Sequence, residues 1–200
     1  GRLTFAMLAP ADSPWRSAGD YVIWGCGQPN APTVAWGTLG EMMAAVQFMD
    51  ATGSRSEYVP YKGGAQLMPD LAGHRVDLNF GPLAGALGAV RAGKVRALAV
   101  LAAQRSPLLP EVPTLAEAGI TTGPLPTWQA LVAPPATPPD VAQRLAREVA
   151  AVMADAEVRA AFERQGLQVE AGGPDALAAL VRADAATWKR FIAEHAIPME

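Results

Sequence analysis

The feature that most constrains this chain is an alternation of strand-like and helix-like segments, punctuated by glycine, from residue 2 to about 103. The runs "RLTFAMLAP" (2–10), "TVAW" (33–36), "SEYVPY" (56–61), "RVDLNF" (75–80) and "KVRALAVLA" (94–102) have the length and texture of strands. Between them lie stretches of helical period at 11–25, 41–53, about 65–72 and 82–93. Ser13 is the expected N-cap of the first helix, with Pro14 at its first position, and Gly53, Gly73 and Gly93 are the expected stops of the others. Strands separated by helices predict an α/β layer with a mostly parallel sheet.

Beyond residue 103 the texture changes. Residues 104–140 are rich in proline and predict short loops with one small helix, "TLAEAG". From Pro138 to Ala196 the pattern is helical, over 140–154, 155–165 and 174–194, and only "LQVEAG" (167–172) resembles a strand. The expected organisation is a crossover strand over 1–10, an α/β lobe over 11–125, and a mostly helical part over 126–200.

Composition removes several function classes. Half the residues are hydrophobic, 18% are charged and the net charge is −3, so no basic stripe points to nucleic acid. The apolar run from Val95 to Ala103 is far short of a bilayer span, so the chain is not expected to be membrane-embedded. Cys26 is the single cysteine and allows no intrachain disulfide.

The familiar chemical motifs fail on inspection. "GAVRAGK" (88–94) begins like a phosphate loop, but Val95 stands where Ser or Thr should hold Mg²⁺. Its glycine and lysine also end a helix rather than open one. Gly25-Cys26-Gly27 begins like a dinucleotide fingerprint, but Asn30 replaces the third glycine and Pro29 removes an amide. His74 and His195 lack acidic or cysteine neighbours at metal-ligand spacing. Asp77 and Glu117 are isolated carboxylates suited to capping. No catalytic residue, metal or cofactor is expected.

What remains is backbone. At Trp36-Gly37-Thr38-Leu39-Gly40 and at Tyr61-Lys62-Gly63-Gly64-Ala65, a strand ends, glycines permit a tight turn and a helix begins. Each turn would present free N–H groups and a positive dipole end at the carboxyl edge of the sheet, where open α/β sheets bind ligands. Asn79-Phe80-Gly81 is a third strand exit at that edge. The candidate ligand-binding set is therefore Gly37, Thr38, Leu39, Gly40, Tyr61, Gly63, Gly64, Asn79, Phe80 and Gly81. Such turns suit a compact anion, carboxylate or phosphate, and Lys62 is not needed for chemistry.

The long run "YVPYKGGAQLMPDLAGHRVDLNFGPLAGALGAVRAGKVRALAVLAAQRSPLLPEVPTLAEAG" resembles the substrate-binding proteins of tripartite tricarboxylate transporters, the TctC or Bug family. The ordered pattern from Gly93 through Val100, then Arg105, then "LPEVPT" with Glu117-Ala118-Gly119, is far more specific than any motif above. The resemblance continues through Trp128, "LVAPPATPPDVAQRL", "ADAEVRAAFERQG" and Trp188, and reaches back to "ADSPWRSAGDY".

The resemblance implies a type II periplasmic-binding-protein-like fold, with two lobes of mostly parallel sheet joined by crossover strands. It implies a non-catalytic, periplasmic solute-binding protein that captures a small carboxylate and delivers it to membrane permease subunits. A signal peptide is expected upstream of this chain. The family's carboxylate loop maps onto Gly37–Gly40, although "WGTLGE" is shorter and more apolar than the usual version. Roughly the family's N-terminal third has no counterpart here, so the first lobe is expected to be incomplete, with the helices over 140–195 exposing an apolar face. Two other readings share the architecture: a cytoplasmic LysR-like effector-sensing domain, and an α/β enzyme with an unrecognised site.

Overall fold

The opening strand-like run forms two strands rather than one. The computed structural model describes residues 1–25, 30–170, 172–195 and 197. In it Arg2–Leu3 (β1) and Phe5–Pro10 (β2) join different sheets. After them come α1 (Ala18–Gly25), β3 (Thr33–Trp36), α2 (Leu39–Thr52), β4 (Glu57–Pro60) and α3 (Gly64–Ala72). The alternation is completed by β5 (Leu78–Pro82), α4 (Leu83–Arg91) and β6 (Val95–Leu101). The remainder holds α5 (Pro139–Ala154), α6 (Ala156–Arg164), β7 (Leu167–Gln168) and α7 (Pro174–Glu194). The chain divides into two compact units, Leu3–Leu125 and Pro126–Glu200 with Gly1–Arg2.

The larger unit is built on a five-stranded sheet in the order β4-β3-β5-β2-β6. β3 runs parallel to β4 and β5, whereas β2 is antiparallel to both β5 and β6. The sheet is therefore mixed, with β2 alone reversed. A helical crossover between successive strands returns the chain to the same edge, which keeps β3, β4, β5 and β6 in one direction. β2 enters from outside that series, and all six of its residues are buried.

Helices cover both faces. On one, Tyr21 of α1 and Phe48 of α2 pack with Val34, Leu78 and Phe80, and the Phe48 and Phe80 rings lie 5.1 Å apart. On the other, Leu67 and Leu71 of α3 and Leu83 and Leu87 of α4 pack with Leu8 and Ala35. Val34 and Ala35 thus point to opposite cores, as strand periodicity requires.

Local chemistry moved several boundaries. α1 begins at Ala18, not at Ser13: the Ser17 hydroxyl accepts from the Asp20 amide at 3.1 Å, and the Asp20 carboxylate accepts from the Arg16 and Ser17 amides at 2.8 and 3.0 Å. This reciprocal cap outcompetes Ser13 because it satisfies several orphan amides together. The residues before it bend so that Trp15, 3% exposed, sits edge-on to Tyr21 and Trp24. "TLAEAG" closes as turns instead of a helix, with Glu117 and Thr114 each accepting from the other's amide. β5 starts at Leu78 because Asp77 turns aside to accept from the Thr33 amide and hydroxyl at 2.8 and 2.7 Å.

In the smaller unit β7 pairs with β1, and the Arg2 guanidinium meets Glu170 at 2.8 Å. The strand-like stretch 167–172 yields only Leu167–Gln168 as strand, and Ala171 lies outside the described residues. α5 and α6 bury no residue, and α7 buries only Phe191, with Trp188 packed edge-on 6.0 Å away. The Trp128 indole donates to Asp184.

Candidate functional site

Because β3, β4 and β5 run parallel, their carboxyl ends share one edge of the larger unit, and α2, α3 and α4 all begin from it. The first two turns are in direct contact: a Cβ on Gly37 would stand 2.8 Å from Gly63 Cα and 3.0 Å from its carbonyl carbon. Gly63 has φ 110°, a conformation that favours glycine. The Tyr61 amide donates to Trp36 O at 2.8 Å and ties the two strand exits together.

The three helix starts are capped differently. At α2, Thr38 is the N-cap and its hydroxyl accepts from the Glu41 amide at 3.3 Å. The N-cap residues of α3 and α4 are Gly63 and Pro82, and neither supplies a side-chain hydrogen bond. The helix-start amides of α3 thus keep their donors for an external acceptor, and a helix start favours negative charge.

Glu41 is the residue that sequence reasoning missed. It is 5% exposed, and its Oε2 accepts from the Gly37 amide at 2.6 Å and the Asn79 side-chain amide at 3.4 Å. Burial pushes its carboxyl above the usual glutamate range, against the opposing pull of the Gly37, Asn79 and Thr38 amides. The Thr38-x-x-Glu41 spacing of a capping box was the available signal. The Gly37 amide, expected to be free for a ligand, is therefore already engaged from within.

Asn79 is 1% exposed and also donates to Ala35 O at 3.0 Å. A Cβ on Gly81 would collide with Asn79 Oδ1, so glycine at 81 preserves that side chain's position. Thr38, Glu41, Gly64 and Asn79 line one cavity of about 1090 Å³, which extends along α3 and α4 to Lys94.

The expected ligand-binding residues thus divide. Thr38, Gly64 and Asn79 face the cavity; Gly37 and Gly63 make the contact that shapes it; Gly81 backs Asn79. Leu39 is exposed at 49% and Gly40 lies in the first turn of α2. The Tyr61 hydroxyl donates to Asp70 at 2.9 Å. The Phe80 ring is fully buried against Phe48, so its side chain belongs to the core and not to a ligand surface.

The remaining polar candidates are structural. His74 lies 3.4 Å from the exposed Asp12, and Glu117 accepts from Arg105 and from the Thr114 amide. Among the described residues no three His, Cys, Asp or Glu gather as a metal site, and no helix is long and apolar enough to cross a membrane. Cys26, Gly27 and Pro29 lie outside the described residues.

A mixed α/β unit with helix starts gathered at one sheet edge is the architecture of the periplasmic binding proteins, and solved structures of that class share it. One, "R. palustris Rpa4515 with adipate", superposes with a TM-score of 0.85 at 27% identity, covering 96% of this chain and 65% of that one. The periplasmic binding protein BugD superposes with a TM-score of 0.83 at 26% identity, covering 99% of this chain and 68% of BugD. A UPF0065 protein from the tcbD-tcbE intergenic region of Pseudomonas sp. (strain P51) is 31% identical over 196 residues, 96% of this chain and 58% of that relative. The family model described as the tripartite tricarboxylate transporter family receptor matches residues 1–197, and the chain belongs to that family. Its relatives are binding proteins, not enzymes. The chain spans about two thirds or less of the length of the relatives it matches most fully.

Proposed function

We propose that this chain is the anion-holding part of an extracytoplasmic receptor that captures a small carboxylate and passes it to the membrane subunits of a tripartite tricarboxylate-type transporter. The observation that carries this reading is the convergence of the α2 and α3 starts, with Gly37 packed on Gly63, beside a cavity lined by Thr38, Gly64 and Asn79. The carboxylate would rest on the amides of 38–40 and 63–65, with Asn79 and the Gly81 backbone behind it. A structural relative crystallised with adipate supports a carboxylate as the cargo class.

The energetics call for more than these turns. One helix start contributes about 0.3–1 kcal/mol, up to ~2 when partly buried, whereas micromolar affinity needs about −8 kcal/mol. Two such starts leave a gap that further surface must fill, so the intact protein is the object to test. Titration calorimetry of the intact protein against C4 to C6 mono- and dicarboxylates should give at least one ligand in the micromolar range or tighter. Absence of heat across the whole panel would defeat the reading.

A further inference from the structure

The start of α2 already holds a carboxylate: the chain's own. The Gly37 amide donates to Glu41 Oε2 at 2.6 Å, the Asn79 side-chain amide reaches the same oxygen at 3.4 Å, and the Thr38 amide also bonds the carboxylate. A capping box needs only the last of these. Glu41 goes further, taking the amide before the cap and a side chain from β5. It is 5% exposed, although a first-turn carboxylate normally stays in water.

These donors stand where the receptor reading puts the cargo. Glu41 lines the same cavity as Thr38 and Asn79, and Gly37 packs on Gly63, so the occupied α2 start lies directly beside the uncapped α3 start. Two carboxylates at close range repel, and each amide has a single hydrogen to donate. The three donors to Glu41 are neutral, and among the described residues no cation pairs with it. Lys62 in the α3 turn is exposed, the Tyr61 hydroxyl is engaged by Asp70, and Lys94 is the other ionisable residue lining the cavity. Burial also weighs against the anion, so Glu41 is held at this position less firmly than its hydrogen bonds suggest.

We propose that Glu41 is an internal stand-in for cargo: its carboxylate occupies the Gly37 and Thr38 amides until an arriving carboxylate displaces it. The contact is autoinhibitory; it rests on the carboxylate-receptor reading and adds the exchange. Cargo prevails because it also reaches the α3 amides, which Glu41 leaves unused, while the displaced side chain returns to water. Apparent affinity is lowered by the fraction of molecules in which the α2 start is still occupied from within. Removing the side chain removes that penalty.

NMR of the intact protein with ¹³C-labelled glutamate carboxyls, titrated with succinate, glutarate and adipate, follows the exchange at Glu41 itself. At saturation the Glu41 carboxyl pKa should fall toward the ordinary value of 4.5 as the side chain enters water. In calorimetry with the same three acids, Glu41→Ala should bind at least one of them about tenfold tighter than wild type. Binding by Glu41→Ala alone also supports the proposal, the stand-in then being too firm for these acids to displace. A Glu41 carboxyl that keeps its raised pKa, or climbs further, when an acid binds would overturn it while leaving the receptor reading intact. A Glu41→Ala protein that binds no tighter than wild type would do the same. No binding by either protein overturns both. Should Glu41→Ala fail to fold, the carboxyl titration of wild type alone decides.

Discussion

The two compact units draw on similar helices and arrive at very different interiors. In the larger unit, α1 and α2 cover one face of the sheet and α3 and α4 the other. Every buried hydrophobic residue among those described, except Phe191, lies there. In the smaller unit, α5 presents Val141, Leu145, Val149 and Val152 at 36–52% exposure, at the spacing of one helix face. An amphipathic helix specifies that a face wants cover; only a neighbouring layer supplies it. The larger unit holds its own layer in the sheet, and α5 has none among the described residues.

The sharpest break of this comparison is a pair of truncations. Phe48→Ala in the larger unit removes a fully buried ring packed between Tyr21 and Phe80 and should cost about 3–5 kcal/mol in urea unfolding. Val149→Ala on α5 should cost about 0.5 kcal/mol or less. Equal costs would mean that the α5 face is covered in the protein as measured, and the contrast would fail.

A smaller effect is expected at the proposed ligand site of the larger unit. Gly37→Ala drives a methyl group into the Gly63 backbone, which cannot swing aside as a side chain would. The strain should cost about 1–3 kcal/mol and weaken carboxylate binding together with stability. Full binding with unchanged melting would show that the two turns are not locked together.

The smallest effect is a pH dependence. Burial raises the Glu41 carboxyl above the ordinary glutamate value of 4.5, so the folded protein holds that proton more tightly than the unfolded chain. The corresponding stability is fully present below the ordinary value and is lost as pH rises through the raised one. From about pH 4 to about pH 8, melting temperatures should therefore shift in favour of Glu41→Gln relative to wild type. A shift the other way would mean that the folded state favours the anion.

The sequence was most informative where periodicity and punctuation agree. Thr33–Trp36 and Pro174–Glu194 form as their patterns predict, and Gly53, with φ 66°, ends α2 in the left-handed conformation that its position suggested. It was least informative where partners distant in sequence decide. Ser13 reads as the cap, and the shift to Ser17 depended on Asp20 and on the burial of Trp15. The reversal of β2 follows from which strands flank it, which no local pattern encodes. The glycine turns of the proposed site were legible as glycines at strand exits, and two of them prove constrained: Gly63 by its φ of 110° and Gly37 by its packing on the Gly63 backbone. Glu41 was not: as a first-turn glutamate it reads as ordinary capping, and only the fold brings Asn79, from a strand 38 residues on, against the same oxygen.

The central claim is that cargo is held by backbone amides at the starts of α2 and α3. Amide-resolved NMR of the intact protein, titrated with its tightest carboxylate, tests it most directly. The account predicts the largest ¹H–¹⁵N shifts at Thr38, Leu39, Gly40, Gly63, Gly64 and Ala65, with the Asn79 side-chain amide moving alongside them. Saturating binding that leaves those amides still and shifts residues elsewhere would contradict it.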